Sequence, residues 1–143
     1  MNIKIELMRE ENLDEIAKIF VQTFNAAGEH WSIENATENI KEGFFGECHY
    51  IALVEDKIVG FILAIPLTRE LGMELFVASV AVLPEYQKHG VGKMLWDKVE
   101  LYGKENKYAA IRLLTNTHLK SYEWYKQMGF KESEWIEVFK EIK

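Results

Sequence analysis

The residues whose types and spacing can do chemistry lie in one stretch, Val80-Ala81-Val82-Leu83-Pro84-Glu85-Tyr86-Gln87-Lys88-His89-Gly90-Val91-Gly92-Lys93. An apolar run ends at Pro84, and Gly90 and Gly92 open a segment with helical spacing. Glycine lets the backbone come close to a ligand, and a helix start aims free N–H groups and a positive dipole end at whatever lies before it. Such a turn suits an anion, and Lys88 and Lys93 add charge for a phosphate or pyrophosphate. A Walker A loop is excluded because Gly92-Lys93 is followed by Met94 where Ser or Thr is needed. A dinucleotide fingerprint fails too, since its third glycine falls at Leu95 and the unit comes too late to start a doubly wound sheet.

The elements that must position this turn are read from periodicity. Ile3, Ile5 and Leu7 alternate with Lys4 and Glu6, which predicts an opening strand. Asn12 with Glu15 has the form of a helix cap, and Leu13, Ile16, Ala17, Phe20, Val21 and Phe24 supply an apolar stripe that should end before Gly28. Ser32 predicts the cap of a second helix, stopped at Gly43. Tyr50 to Val54 and Ile58 to Ile65, joined by Glu55-Asp56-Lys57, predict a hairpin, with Pro66 expected to break the sheet. Leu75 to Leu83 reads as a strand buried on both faces, Val91 to Tyr102 as a helix and Ala109 to Thr115 as a strand. Ser121 to Met128 reads as a short helix ended by Gly129, and Trp135 to Phe139 as a last strand. The strand-helix-strand unit from Leu75 to Thr115 demands a right-handed crossover, hence a parallel pair.

With 143 residues, 48% hydrophobic and 28% charged, the chain has material for one globular core, and no repeat or linker composition divides it. Residues 1–143 are expected to form a single α/β (α+β) domain. The lone Cys48 cannot close an intrachain disulfide, and His30, His49, His89 and His118 show no zinc spacing, so no metal is expected. No apolar run is long enough for a membrane span or signal segment, so a cytoplasmic protein without a membrane partner is expected. Residues 1–55 carry eleven acidic and four basic side chains, and residues 56–143 twelve and thirteen, for a net charge of −6. That balance disfavours nucleic acid and suits a cationic small molecule or peptide at the acidic front half, where Glu29, Glu34, Glu38, Glu42 and Glu47 can steer it.

Gln87-Lys88-His89-Gly90-Val91-Gly92 resembles the Q/R-x-x-G-x-G/A signature of the GNAT N-acetyltransferases, and Tyr125-Lys126-Gln127-Met128-Gly129-Phe130 resembles their downstream Y-x-x-x-G-F element. The resemblance spans essentially the whole chain. It implies a mixed, mostly antiparallel sheet with helices on both faces, and acetyl transfer from acetyl-CoA to a primary amine. Backbone amides of Gln87, Lys88, His89, Gly90, Val91, Gly92 and Lys93 would then hold the pyrophosphate. Val80, Ala81 and Val82 would lie along the pantetheine arm in a gap opened by a bulge, a fitting role because an unpaired strand backbone can satisfy two amides. A backbone N–H near Val80 or Val82 would stabilise negative charge on the thioester oxygen.

By the same resemblance Tyr125 would protonate the departing thiolate, with Tyr122 in reserve. Glu74 would serve as base, with Glu70 or a water chain as the alternatives. Asn116, or else His118, would bond the pantetheine. Cys48 has no activating partner, so transfer should be direct. Phe24, Trp31, Phe44 and Phe45 line the acceptor pocket or pack the core. A non-catalytic acyl-CoA sensor is the alternative reading, and exposed strand edges with the C-terminal Trp135 to Phe139 fit a homodimer.

Overall fold

The computed structural model describes residues 1–143, whose contacts fall into two units, Met1–Leu113 and Leu114–Lys143. In the first unit the strands are β1 (Ile3–Leu7), β2 (His49–Val54), β3 (Lys57–Arg69), β4 (Gly72–Val82) and β5 (Ala110–Leu113). The helices are α1 (Leu13–Ala26), α2 (Ile33–Gly43) and α3 (Val91–Glu105). The sheet runs in chain order, antiparallel from β1 to β4, with β5 parallel to β4 across the α3 crossover. This is the α+β class with the parallel pair expected from the sequence.

Side-chain alternation assigns the helices to opposite faces. Phe61, Leu63 and Ile65 share one face of β3. Phe20 of α1 stacks on Phe61 with ring centroids 6.5 Å apart, and Gly43 of α2 lies against Leu63 and Ile65. Leu75 of β4 pairs with Pro66 and so points to the other face, where it meets Gly103 of α3. Between the layers Ile16, Ile40, Phe61, Ile62, Leu63, Leu75, Leu95 and Trp96 are buried.

Three local expectations are corrected. Asn12 does not cap α1 through its side chain; its Oδ1 accepts from the Arg9 N–H at 2.8 Å and closes a 3-10 turn, Glu10–Asn12, that leads into the helix. Ser32 does cap α2, accepting from the Asn35 N–H at 3.0 Å. Pro66 does not break the sheet. It pairs with Leu75 inside β3, beyond Leu63, the last residue with a β2 partner, so β3 is an edge there and a missing N–H is tolerated.

In the second unit α4 (Lys120–Gln127) ends at Gly129, and Tyr125 packs between Trp124 and Phe130 with centroids 5.3 and 5.8 Å from its ring. The third correction falls here. Trp135 to Phe139 forms no strand, and Trp135, Ile136, Val138 and Phe139 are 81–85% exposed. Apolar patterning supplies the side chains of a strand, but a strand also needs a neighbour for its backbone.

Candidate active site

The site is built on the last third of β4. Ser79 pairs with Leu63 and Val77 with Ala64, which leaves Ala78 as an extra residue without a partner. This bulge lies two residues before Val80. β5 pairs only with Glu74, Leu75, Phe76 and Val77, so beyond the bulge β4 has a neighbour on one side only. Antiparallel pairs alternate between residues that exchange backbone bonds and residues whose N–H and C=O face away. The Leu83 N–H bonds the Val59 carbonyl at 2.8 Å, which puts Ala81 toward β3 and turns the backbone groups of Val80 and Val82 to the open side. Ala78 is exposed, whereas Ser79 is 6% exposed and its buried hydroxyl has no protein partner.

The chain then makes a 3-10 turn, Pro84–Tyr86, with the Tyr86 N–H on the Leu83 carbonyl at 2.9 Å. Gln87 folds back, its Nε2 donating to the outward-facing Val82 carbonyl at 2.8 Å. That bond closes the end of the open edge and fixes the loop to the strand. Lys88, at φ 64, and Gly90, at φ 84, both adopt left-handed backbone, and Gly90 is the N-cap of α3. No side chain caps this helix and no acid stands in its first turn, so the N–H groups of Val91, Gly92 and Lys93 lack the partner that Ser32 gives α2. Lys88, His89, Gly90 and Lys93 are exposed. The Lys93 ammonium turns along α3 to Asp97, which leaves the loop's own contribution mainly to its backbone.

Glu74 stands at the other end of β4 and is 1% exposed. Arg112 donates to both its carboxylate oxygens, the Nη2 bond measuring 3.2 Å, and Arg69 lies 3.7 Å away. The Arg112 hydrogen bonds, aided by the charges of both arginines, lower its pKa despite the burial. These are the surroundings of a buried ion pair, and a carboxylate so held is a weakened proton acceptor.

Of the remaining expected residues, Tyr125 is buried in α4. The Asn116 Oδ1 accepts from the His118 N–H at 2.8 Å and so serves the turn before α4. The Tyr122 hydroxyl donates to Glu132 and its ring lies under the Lys126 ammonium, 4.5 Å from the centroid. Phe24 and Trp31 pack edge-on against Phe20 with centroids 4.6 and 4.7 Å away, and both remain partly exposed. The Cys48 thiol is buried, donates to the Ala64 carbonyl at 3.4 Å, and is pushed up to about 12 by burial and the nearby Glu47 charge. It is unsuited to carrying an acyl group. Ala78, Ser79 and the two arginines were missed by sequence reasoning; nothing in Val77-Ala78-Ser79 announces a bulge, Arg112 is distant from Glu74 in sequence, and Arg69 comes beside it only through the tight turn between β3 and β4.

The chain that carries this bulged strand, glycine turn and uncapped helix has relatives among known proteins. The model of the acetyltransferase (GNAT) family matches residues 7–130, and the chain belongs to this family of acetyltransferases. Human N-acetyltransferase 8 is 31% identical over 93 residues, 62% of this chain and 40% of that protein, so the match spans about two fifths of the relative. Among solved structures, a possible acetyltransferase from Clostridium difficile 630 superposes with a TM-score of 0.80 at 20% identity over 99% of both chains. The aminoglycoside N-acetyltransferase AAC(6')-Iy in complex with CoA superposes at 0.78 and 18% identity, covering 98% of this chain and 95% of that one. No helix of the chain is long and apolar enough to cross a membrane.

Proposed function

We propose that this chain moves the acetyl group of acetyl-CoA directly to a primary amine on a cationic small molecule or peptide. One observation carries the reading: the free edge of β4 beyond the Ala78 bulge leads through the Pro84–Tyr86 turn and the Gln87–Gly90 loop into the uncapped start of α3. Along that edge Val80 offers an outward N–H and carbonyl and Val82 an outward N–H for a pantetheine arm, while Ala81, between them, spends its own backbone groups on β3 and lines the edge without bonding it. The loop Gln87, Lys88, His89, Gly90, Val91, Gly92 and Lys93 supplies N–H groups for the pyrophosphate. Family membership and the crystallised CoA complex of a fold relative support the cosubstrate.

In the reaction the amine nitrogen attacks the thioester carbon and the carbon–sulfur bond breaks. The outward Val80 N–H donates to the carbonyl oxygen as it gains negative charge, a contribution of roughly 10²–10³ in rate. The amine proton leaves to water, and the Tyr125 hydroxyl gives a proton to the departing thiolate. Glu74, bound by two arginines, orients β4 against β5 instead of acting as base. Asn116 bonds the pantetheine. Residues 1–143 act as one acetyltransferase domain, supported by a family match that runs through both units. The acidic front half and the presence of aminoglycoside acetyltransferases among the fold relatives support a cationic acceptor. A cytoplasmic location and a homodimer using the exposed C-terminal apolar residues complete the reading.

Calorimetric titration of acetyl-CoA into the wild type, Gly90→Val and Tyr125→Phe tests it, followed by thiol release over a panel of cationic amines. Binding by the wild type and Tyr125→Phe, its loss in Gly90→Val, and turnover falling 10²-fold or more in Tyr125→Phe are expected. Absence of binding to folded wild type overturns the reading. Binding without turnover on any amine leaves an acyl-CoA sensor.

A further inference from the structure

At the opposite end of α3 from the glycine turn lies a second concavity, an open cleft of about 330 Å³ between the last turn of α3 and the edge formed by β1 and β2. Leu7, Glu47, Tyr50, Tyr102 and Asn106 line it, with Gly46 and Cys48 on either side of Glu47. Tyr102 stands eleven positions beyond Val91, about 16 Å along the helix axis at 1.5 Å per residue, so the cleft is separate from the acetyl-CoA edge.

Its chemistry is one-sided. The Glu47 carboxylate accepts from the Tyr102 hydroxyl at 3.0 Å and keeps further lone pairs for a donor. Tyr102 and the C-cap Asn106 bring the C-terminal end of α3, the negative pole of its dipole, to the cleft, although the Tyr102, Gly103 and Lys104 carbonyls already accept from the backbone N–H groups of Asn106, Tyr108 and Lys107. No lysine or arginine lines the cleft, and the lysine of that last turn, Lys104, reaches back to Glu100 at 3.9 Å instead of crossing to Glu47. Burial is the main cause that raises Cys48, Tyr102 and Tyr50, and negative charge adds to it, from Glu47 on Cys48 and Tyr102 and from Glu105 on Tyr50. The two tyrosines add electron-rich rings, and Leu7, 48% exposed, adds apolar surface. Glu47 is also presented by unusual backbone, between Gly46 at φ 91 and Cys48 at φ 47, a conformation a non-glycine residue holds only where its surroundings enforce it.

We propose that this cleft is a binding site for a small organic cation of the alkylammonium class, held by the Glu47 carboxylate and the rings of Tyr50 and Tyr102. The site is independent of acetyl transfer, and the probe is chosen accordingly. Tetramethylammonium has no N–H and cannot accept an acetyl group, so its binding stands or falls apart from the acetyltransferase reading. Titrated into the full chain without acetyl-CoA, tetramethylammonium chloride should shift the Tyr50 and Tyr102 ring-proton resonances saturably, and sodium chloride at the same concentration should not. Glu47→Gln should weaken binding about tenfold. Glu141→Gln, the same charge change at the exposed C-terminus, should bind as the wild type does. Tyr102→Phe, which keeps the ring and frees the carboxylate, should bind as well as the wild type or better. The proposal is overturned if the tyrosine resonances respond alike to both salts, if Glu47→Gln binds as well as the wild type, or if both glutamine variants weaken it equally.

Discussion

The carboxylate of Glu74, buried on β4, is bound through both oxygens by the guanidinium of Arg112, which projects from the parallel strand β5. The Arg112 hydrogen bonds hold Glu74 below the ordinary carboxylate range. The native state therefore keeps this group ionised at pH values where the unfolded chain, near the usual value of about 4.3, takes up a proton. The resulting stabilisation is fully present above that unfolded value and is lost as pH falls through the native one. Glu74→Gln should lower the urea midpoint at pH 6, because Arg112 loses its partner, yet lose less than the wild type between pH 6 and pH 3. Equal acid sensitivity of the two proteins contradicts this account.

His49 gives a second acid-sensitive component in a different window. It is fully buried between Phe44 and Phe45, its Nε2 accepts the Phe45 N–H at 3.2 Å, and burial lowers its pKa to about 4. Protonation would set a second N–H against the Phe45 donor. Above pH 6.5 the ring is neutral in both states and the stabilisation is complete; as pH falls from 6.5 to about 4 the unfolded chain alone binds the proton. A shift of this size corresponds to about 3 kcal/mol lost across that window. His49→Gln should flatten the stability profile between pH 6.5 and 4 in urea titrations, whatever its effect at neutral pH.

Acceptor steering makes a prediction that separates electrostatics from folding. Glu34 and Glu38 are exposed one turn apart on α2, where like charges repel. Replacing both by Gln should leave the thermal midpoint unchanged or raise it slightly. For a cationic acceptor found by the thiol-release screen, kcat/KM should fall several-fold at 20 mM salt and little at 300 mM, because the Debye length shrinks below the spacing of exposed charges. A loss independent of salt would remove the steering role.

The elements were largely legible in the sequence because their causes are local. The alternation of Ile3, Ile5 and Leu7, the Ser32 cap, the Gly90 turn and the α3 stripe each declare themselves within a few residues, and the parallel β4–β5 pair follows from chain connectivity. What escaped depends on partners distant in sequence. Pro66 was expected to end a strand, yet it is harmless where β2 has run out, and Trp135 to Phe139 has the composition of a strand without a ladder. The Ala78 bulge follows from the register between β3 and β4, which neither strand encodes alone. Glu74 was noticed for its carboxylate, but its acidity is set by Arg69 and Arg112 on the strands either side.

The same register gives a prediction at Gly60. This glycine pairs with Val82, and a Cβ there would lie 2.9 Å from the Ala81 carbonyl oxygen and 3.2 Å from Val82 Cγ2. Backbone oxygen cannot rotate away as a side chain does, so Gly60→Ala must push the end of β4 off β3, at a cost of about 1–3 kcal/mol by analogy with overpacked cores. That end of β4 carries the outward Val82 N–H and the carbonyl to which Gln87 is tied, so acetyl-CoA affinity should fall together with stability. Gly103→Ala is the control. Its Cβ meets side chains alone, Leu75 at 3.4 Å and Tyr108 Cβ at 3.8 Å, both ordinary van der Waals contacts, and alanine in a helix interior gains about 0.5–1 kcal/mol over glycine, so stability should hold and acetyl-CoA titration should match the wild type. If Gly60→Ala binds acetyl-CoA as tightly as Gly103→Ala does, the open edge of β4 is not where the cosubstrate lies.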